Sequence, residues 1–312
     1  MMTELLVTGG TGMVGKAIKK VLPEDYNVAL VGSKDYNLLD PAKARKMIRE
    51  AKPKKIIHLA AKVGGVKANR RHLADFFNEN ILINTNVLMA ADKYNVENVV
   101  SLLSTCVYPD AKYVNYPLTE KQLHLGPPHE SNFGYAYAKR MVEVQSRAFR
   151  IQEGRNYTTA IPNNIYGPHD NFDLEDGHVV PAVIRKIYEA KNTGADATFW
   201  GDGSALREFT FSEDIAACLL KMAGCPTGEV YQSDIPCNIG VSVETSIKEL
   251  VETVANIFDF EGEIKWDTTK PSGQHRKPSL SRRIPHKYKT LREGLDITCR
   301  WFEENYPDVR GV

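Results

Sequence analysis

The chain has 312 residues, 42% hydrophobic and 25% charged, proportions that exclude a disordered or fibrous polypeptide and allow two associated lobes with a sizeable core. Its 40 basic side chains nearly balance 39 acidic ones, so no global field draws it to nucleic acid or an anionic membrane, and any anion site must be local. The five cysteines, Cys106, Cys218, Cys225, Cys237 and Cys299, include no CxxC pair and suit neither a disulfide framework nor a metal site, so reduced thiols and no metal are expected. The opening MMTELLVTGG lacks a basic stretch followed by a long apolar one, and no run reaches the ~18 apolar residues of a membrane span. A cytoplasmic protein is the expectation.

Short apolar runs, ELLVTG, NVALVG, KKIIHLAA and NVVSLLST, alternate with longer helical patterns through the first half. That alternation predicts an α/β fold: a Rossmann-type doubly wound parallel sheet, joined by a smaller α/β substrate-binding lobe. After the first run, Gly9, Gly10, Thr11, Gly12, Met13, Val14 and Gly15 lead into the helical KAIKKVL, which places GxGxxG in its strand–turn–helix context. Glycines there let the backbone turn tightly and approach a pyrophosphate, while the helix N-terminus offers free N–H groups to the anion. After the second run comes Gly32-Ser33-Lys34-Asp35. Lys34 would meet a 2′-phosphate and favours NADP(H), whereas Asp35 would serve as a displaced ribose-binding acid of an NAD site. Asp40, before PAKARK, would either contact adenine or cap the helix that begins there.

Ser104 ends the run NVVSLL, at the sheet edge where parallel α/β folds place ligand-binding residues, and could hydrogen-bond a substrate oxygen. Tyr135 and Lys139 stand four residues apart in GYAYAKR, one turn apart on one helix face, a spacing that Tyr137 lacks. An ammonium beside a phenol stabilises phenolate and should lower the tyrosine pKa, making it an acid and base for a carbonyl–alcohol pair. In this order on a Rossmann frame, Ser104, Tyr135 and Lys139 imply hydride transfer.

From about Asn163 the texture changes. Pro162, Pro168 and Pro181, with Gly167 and Gly177, punctuate a loop-rich stretch where a substrate lobe would begin. Later segments, TFWGDG, REFTFSEDIAACLLKM and PCNIG, read as strand, strand plus helix, and strand, so the chain weaves between lobes. The expected division is residues 1–165 as the NADP-binding domain, with 208–240 returning to it, and 166–312 as mainly the sugar-nucleotide lobe. KPSGQHRKPSLSRR reads as a basic, polar loop.

TGGTGMVG, HLAAKVGG, NNIYGPHDNF and the set Ser104, Tyr135 and Lys139 resemble the extended short-chain dehydrogenase/reductase family. STCVYP, LGPPHESNFGYAYAKR, GPHDNFDLEDGHVVPAVIRK, WGDGSALREF and DTTKPSGQ resemble its branch that epimerises GDP-4-keto-6-deoxy-D-mannose at C3 and C5 and then reduces C4 with NADPH. Nearly the entire chain is covered. The resemblance implies Cys106 and His178 as the acid–base pair of the epimerisation, with a neighbouring imidazolium or Lys139 depressing the thiol pKa. It implies that Arg185, Arg207 and Lys277 contact the GDP moiety, with Trp200 either stacking on it or packing in a core. Cofactor contacts are implied at Leu59, Ala60 and Ala61, at Leu102 and Leu103, at Pro162, Asn163, Asn164 and Ile165, and at His178. A homodimer is implied through helices around Asn80 to Tyr94 and Tyr135 to Gln152. The chain departs from the branch at Ser272, where an aspartate is usual, at Asn163, where threonine is common, and at Thr11, where some members carry arginine. Two alternatives stand beside this reading: a sibling enzyme whose sugar differs by one ring hydroxyl, and a non-catalytic NADP-binding sensor. A plain 4-epimerase or 4-reductase would have no need of Cys106 and His178.

Overall fold

The computed structural model describes residues 2–270 and 275–312. Its first half runs β1 (Leu5–Thr8), α1 (Met13–Val21), β2 (Val28–Val31), α2 (Pro41–Ala51), β3 (Lys55–His58), α3 (Val66–Arg71), α4 (Leu73–Lys93), β4 (Asn98–Leu102), α5 (Phe133–Glu153) and β5 (Asn156–Pro162). The rest runs β6 (Asn164–Tyr166), α6 (Val179–Thr193), β7 (Ala197–Trp200), β8 (Leu206–Arg207), β9 (Phe209–Phe211), α7 (Ser212–Met222), β10 (Cys237–Ile239), β11 (Thr245–Ser246), α8 (Ile247–Ile257), β12 (Ile264–Asp267) and α9 (Leu291–Asn305).

The short apolar runs form one parallel sheet in the order β10-β5-β4-β3-β1-β2. Strands covered on both faces are mostly apolar, and all four residues of β1 are buried, Thr8 among them with its hydroxyl bonded to His58. On one face Val14, Ala17 and Ile18 of α1 meet Ile215 and Leu219 of α7. On the other, Met47 and Ile48 of α2, Val87 and Leu88 of α4 and Val142 of α5 close the second core. Each fully buried side chain of this size contributes roughly 1.5–3 kcal/mol. Strand order reverses between β1 and β3, so the crevice for a ligand opens beyond their carboxyl ends.

The second lobe is built on α6, α8 and α9 around β7 and β12, which pair in parallel. Phe172, Tyr188, Phe302 and Tyr306 stack into an aromatic cluster at its centre. The chain weaves: β10 joins the large sheet beside β5, β9 pairs with β6, and β8 pairs with β11. Among the described residues, no helix is long and apolar enough to cross a membrane.

Candidate active site

The glycine turn is dictated by sterics. Gly9 adopts φ +71°, and a Cβ there would stand 2.8 Å from the Ala60 nitrogen; at Gly15 a Cβ would lie 2.4 Å from the Gly10 oxygen. The loop Leu59-Ala60 therefore closes directly over the turn, and only glycine permits that approach. Helix α1 begins behind Gly12 with no side-chain cap and no acidic residue in its first turn, which leaves its N–H groups and dipole for an anion. Thr11 lies against Gly32 at the end of β2, with Lys34 exposed two residues on. Asp35 turns its Oδ2 back to accept the Gly32 N–H at 2.8 Å. Its carboxylate is a turn cap, which argues against the NAD alternative. Asp40 accepts the Ala42 N–H at 2.7 Å and caps α2, the structural one of its two readings.

At the far side of the crevice, Ser104 ends the segment after β4 and begins a 3-10 turn over Thr105–Val107, its hydroxyl accepting the Cys106 N–H at 3.4 Å. Tyr135, near the start of α5, meets Phe76 edge-on at 6.2 Å. Lys139, one turn further, is 2% exposed, and its ammonium donates to the Leu102 carbonyl at 2.9 Å. That bond ties α5 to the edge of β4 and brings Ser104, Tyr135 and Lys139 to one wall. Leu103 follows, buried, its N–H donating to the Ala160 carbonyl.

The electrostatics correct one expectation. Burial, and then the neighbouring Cys106, push the Tyr135 pKa up rather than down, because desolvation and the nearby thiol both disfavour phenolate. Tyr135 is therefore a protonated donor. Burial lowers the Lys139 pKa to about 8. Beside it His58, bonded to Thr8 at 2.7 Å and Asn84 at 3.0 Å, is lowered to about 3 by burial and by Lys139, so the positive charge resides on the lysine.

The Cys106 thiol is pushed up by burial, against the opposing pull of the Ser104 hydrogen bond, Lys277 and Lys139. The cations acting on it are Lys277 and Lys139, the second being one of the two expected alternatives, and burial outweighs both. His178 precedes α6, open to solvent over part of its surface but with protein packed around its imidazole, so that desolvation first and the Arg310 charge second lower the imidazole pKa and favour the neutral form, able to accept a proton. The segment leading to it is fastened to the Rossmann side, where the Gly65 N–H donates to the Asp176 carbonyl at 2.9 Å and Arg71 pairs with Asp176 at 3.3 Å.

Arg207 sits at the end of β8, and Lys277 lies within electrostatic reach of Cys106, Asp110 and Arg207. Trp200 is 45% exposed, which excludes the core reading. Arg185 departs from expectation: its guanidinium bonds Glu189 at 2.7 Å, the Gly311 carbonyl at 2.6 Å and the Phe172 carbonyl at 3.2 Å, so it braces the second lobe instead of facing a ligand. Asn163 and Asn164 likewise turn their amides inward, to the Val241 and Glu208 carbonyls, leaving the Pro162–Ile165 backbone as what the loop can offer a cofactor. Ser272 lies outside the described residues.

Sequence reasoning missed Arg140 and Glu208. Arg140, 5% exposed, donates to the Val107 carbonyl at 2.9 and 2.6 Å and to the Gly126 carbonyl at 2.9 Å, clamping the turn that carries Cys106. Its only signal was its place directly after Lys139 in AKRMVEV. Glu208 is 2% exposed, and its one hint was an acid inside the apolar REFTF.

A glycine-closed dinucleotide crevice facing a Ser-Tyr-Lys wall defines a nicotinamide-dependent enzyme of the short-chain dehydrogenase type. Residues 5–233 match the NAD dependent epimerase/dehydratase family. A GDP-L-fucose synthase of Dictyostelium discoideum is 39% identical over 317 residues, covering 98% of this chain and 97% of that protein. A probable GDP-L-fucose synthase of Drosophila melanogaster is 37% identical, covering 99% and 100%. The crystal structure of a GDP-L-fucose synthetase from Naegleria fowleri bound to NADP superposes with a TM-score of 0.91 at 37% identity, covering 99% of this chain and 95% of that one. The chain belongs to the NAD dependent epimerase/dehydratase family, in its GDP-L-fucose synthase branch.

The Lys139 pKa sets a pH limit. Turnover that needs the ammonium should decline as pH rises through about 8, read as kcat across the alkaline range at saturating substrates. A kcat that stays flat from about pH 7 to 10 would show that the charge is not required.

Proposed function

We propose that the protein converts GDP-4-keto-6-deoxy-D-mannose to GDP-L-fucose by 3,5-epimerisation followed by NADPH-dependent reduction at C4. The observation that carries this reading is the placement of Cys106 in the electrostatic neighbourhood of Tyr135, Lys139 and Lys277, two residues beyond Ser104. A simple reductase needs no thiol there. The relatives at 39% and 37% identity carry the activity in their names, which supports this substrate over a sugar differing by one ring hydroxyl.

Protons at C3 and C5 are acidic because each lies alpha to the C4 ketone, and removing one makes an enolate that must be stabilised at the C4 oxygen. The Ser104 hydroxyl and the protonated Tyr135 supply hydrogen bonds to that oxygen. Cys106 and the neutral His178 form the acid–base pair for the ring protons. Lys139 and Lys277 oppose the burial cost of a thiolate, so Cys106 can give up its proton when the site is closed over a sugar. Bound along the glycine turn, NADPH supplies the hydride that C4 receives. Tyr135 then gives its proton to the C4 oxygen, and the adjacent ammonium favours the phenolate left behind.

The residues fit that cofactor. Gly9, Gly10 and Gly15 pack too tightly on Ala60, Leu30 and the turn itself to admit a Cβ, which sets the turn a dinucleotide needs, and the uncapped start of α1 faces an anion's requirements. Lys34, just past β2, and Thr11, packed on Gly32 from the glycine turn, serve the 2′-phosphate. Residues 1–165, with 208–240 returning, hold the cofactor, and 166–312 mainly hold the sugar nucleotide, through Arg207, Lys277 and the exposed Trp200. Five free cysteines suit a reducing cytoplasm.

The same reading includes a homodimer through α4 and α5, where Leu82, Met89, Met141 and Ile151 are exposed apolar residues. Sedimentation at micromolar concentration should give a dimer, and Met89→Arg should shift it to monomer; a wild-type monomer would remove this part of the reading.

Two variants separate the steps. Tyr135→Phe should cut NADPH oxidation by at least about a hundredfold, since its proton transfer is lost. Cys106→Ser should mainly block epimerisation, read as loss of hydrogen exchange at the ring, while NADPH binding stays within about twofold. Equal epimerisation by wild type and Cys106→Ser would overturn the assignment.

A further inference from the structure

Glu208 directly follows Arg207, and its buried carboxylate is met by donors. The Ser279 N–H reaches Oε1 and Oε2 at 3.1 and 3.0 Å, the Ser279 hydroxyl donates to Oε2 at 2.7 Å, and the Asn163 amide lies 3.4 Å from the same oxygen. The Glu208 carbonyl in turn accepts the Asn164 amide at 2.8 Å. Ser279 is two residues from Lys277. It sits in a bridge where the Leu118 N–H donates to the Pro278 carbonyl at 2.8 Å and the Leu280 N–H donates to the Leu118 carbonyl at 2.9 Å. One carboxylate thus joins three segments of the chain: the strand end with Arg207, the loop with Lys277, and the Pro162–Ile165 turn.

The arrangement runs on towards the reacting groups. Asn238 donates to the Leu118 and Leu280 carbonyls at 3.1 and 3.2 Å, and it accepts the Tyr108 hydroxyl at 2.7 Å, two residues beyond Cys106. Meanwhile Arg207 and Arg140 both disfavour the charge on Lys277. Cations that repel one another do not gather unless another interaction holds them, and the gathered positive charge is what a diphosphate neutralises. The carboxylate that does the holding is itself committed to Ser279.

We propose that Glu208 is the positioning residue of the diphosphate site, fixing Arg207 and Lys277 in a common register through its hydrogen bonds to Ser279. The proposal rests on the reading of Arg207 and Lys277 as ligands of the sugar nucleotide. Glutamine at this position keeps the shape but replaces one acceptor oxygen with an amide donor toward the Ser279 N–H, which weakens the tie to the Ser279 segment. Arg207 and Lys277 then lose their mutual register while Ser104, Tyr135 and Lys139, held by the separate Leu102 contact, keep theirs.

The test is steady-state kinetics with GDP-4-keto-6-deoxy-D-mannose at saturating NADPH. Glu208→Gln should raise KM for the sugar nucleotide at least about tenfold and lower kcat by a smaller factor, since Lys277 also acts on Cys106. Ser279→Ala, which removes one hydroxyl and keeps the fold testable if Glu208→Gln does not fold, should raise KM in the same direction by less. The double variant should be no worse than Glu208→Gln alone, because both changes act on one interaction. An unchanged KM in Ser279→Ala and Glu208→Gln, or a loss confined to kcat, overturns the proposal. Arg207→Ala and Lys277→Ala mark the underlying reading separately. If neither raises KM, the diphosphate assignment itself fails; if both do while the Glu208 and Ser279 variants do not, only the positioning role fails.

Discussion

The contact on which the site depends is the hydrogen bond from the buried Lys139 ammonium to the Leu102 carbonyl. A cation taken out of water carries a large desolvation cost, and a single carbonyl at 2.9 Å offsets only part of it, as the lowered Lys139 pKa records. That bond locks the register of α5 against the carboxyl edge of β4. Tyr135 and Ser104 come from two different elements and share one wall because of it. The remaining deficit is what an anionic partner, a phenolate or an enolate oxygen, would relieve.

The rest of the crevice extends the same logic. Lys139, Lys277, Arg207 and Arg140 bring several cations to a region where His58 is kept neutral by burial and by Lys139. Desolvation raises the pKa of both Tyr135 and Cys106, which favours their protonated forms before a ligand enters. The two lobes contribute differently. The parallel sheet supplies rigid strand ends, while the segments that carry His178, Arg207 and Lys277 are tied down at Asp176, Glu208 and Ser279.

Where backbone geometry decides, the residues announced it. GxGxxG, the apolar runs and the Tyr135–Lys139 spacing each state a local steric or helical requirement, and the turn, the parallel strands and the shared helix face all appear as expected. Where three-dimensional burial decides, the chain was silent. The expected fall in the Tyr135 pKa ignored the desolvation that Phe76 and the surrounding wall impose. Arg185 read as an anion ligand because nothing in the chain shows that Glu189 and the Gly311 carbonyl take its guanidinium, although the i,i+4 spacing to Glu189 was a visible hint. Glu208 escaped notice because its partner is 71 residues away, beyond the reach of any periodicity.

The central claim is that one pocket performs both proton chemistry at the ring and reduction at C4. Product analysis of GDP-4-keto-6-deoxy-D-mannose turned over with NADPH in deuterated solvent tests it most directly, since ring protons exchanged through Cys106 and His178 return as solvent label. The expected product is GDP-L-fucose carrying deuterium at both C3 and C5. A C4-reduced product with label at neither carbon would contradict it and leave only a reductase.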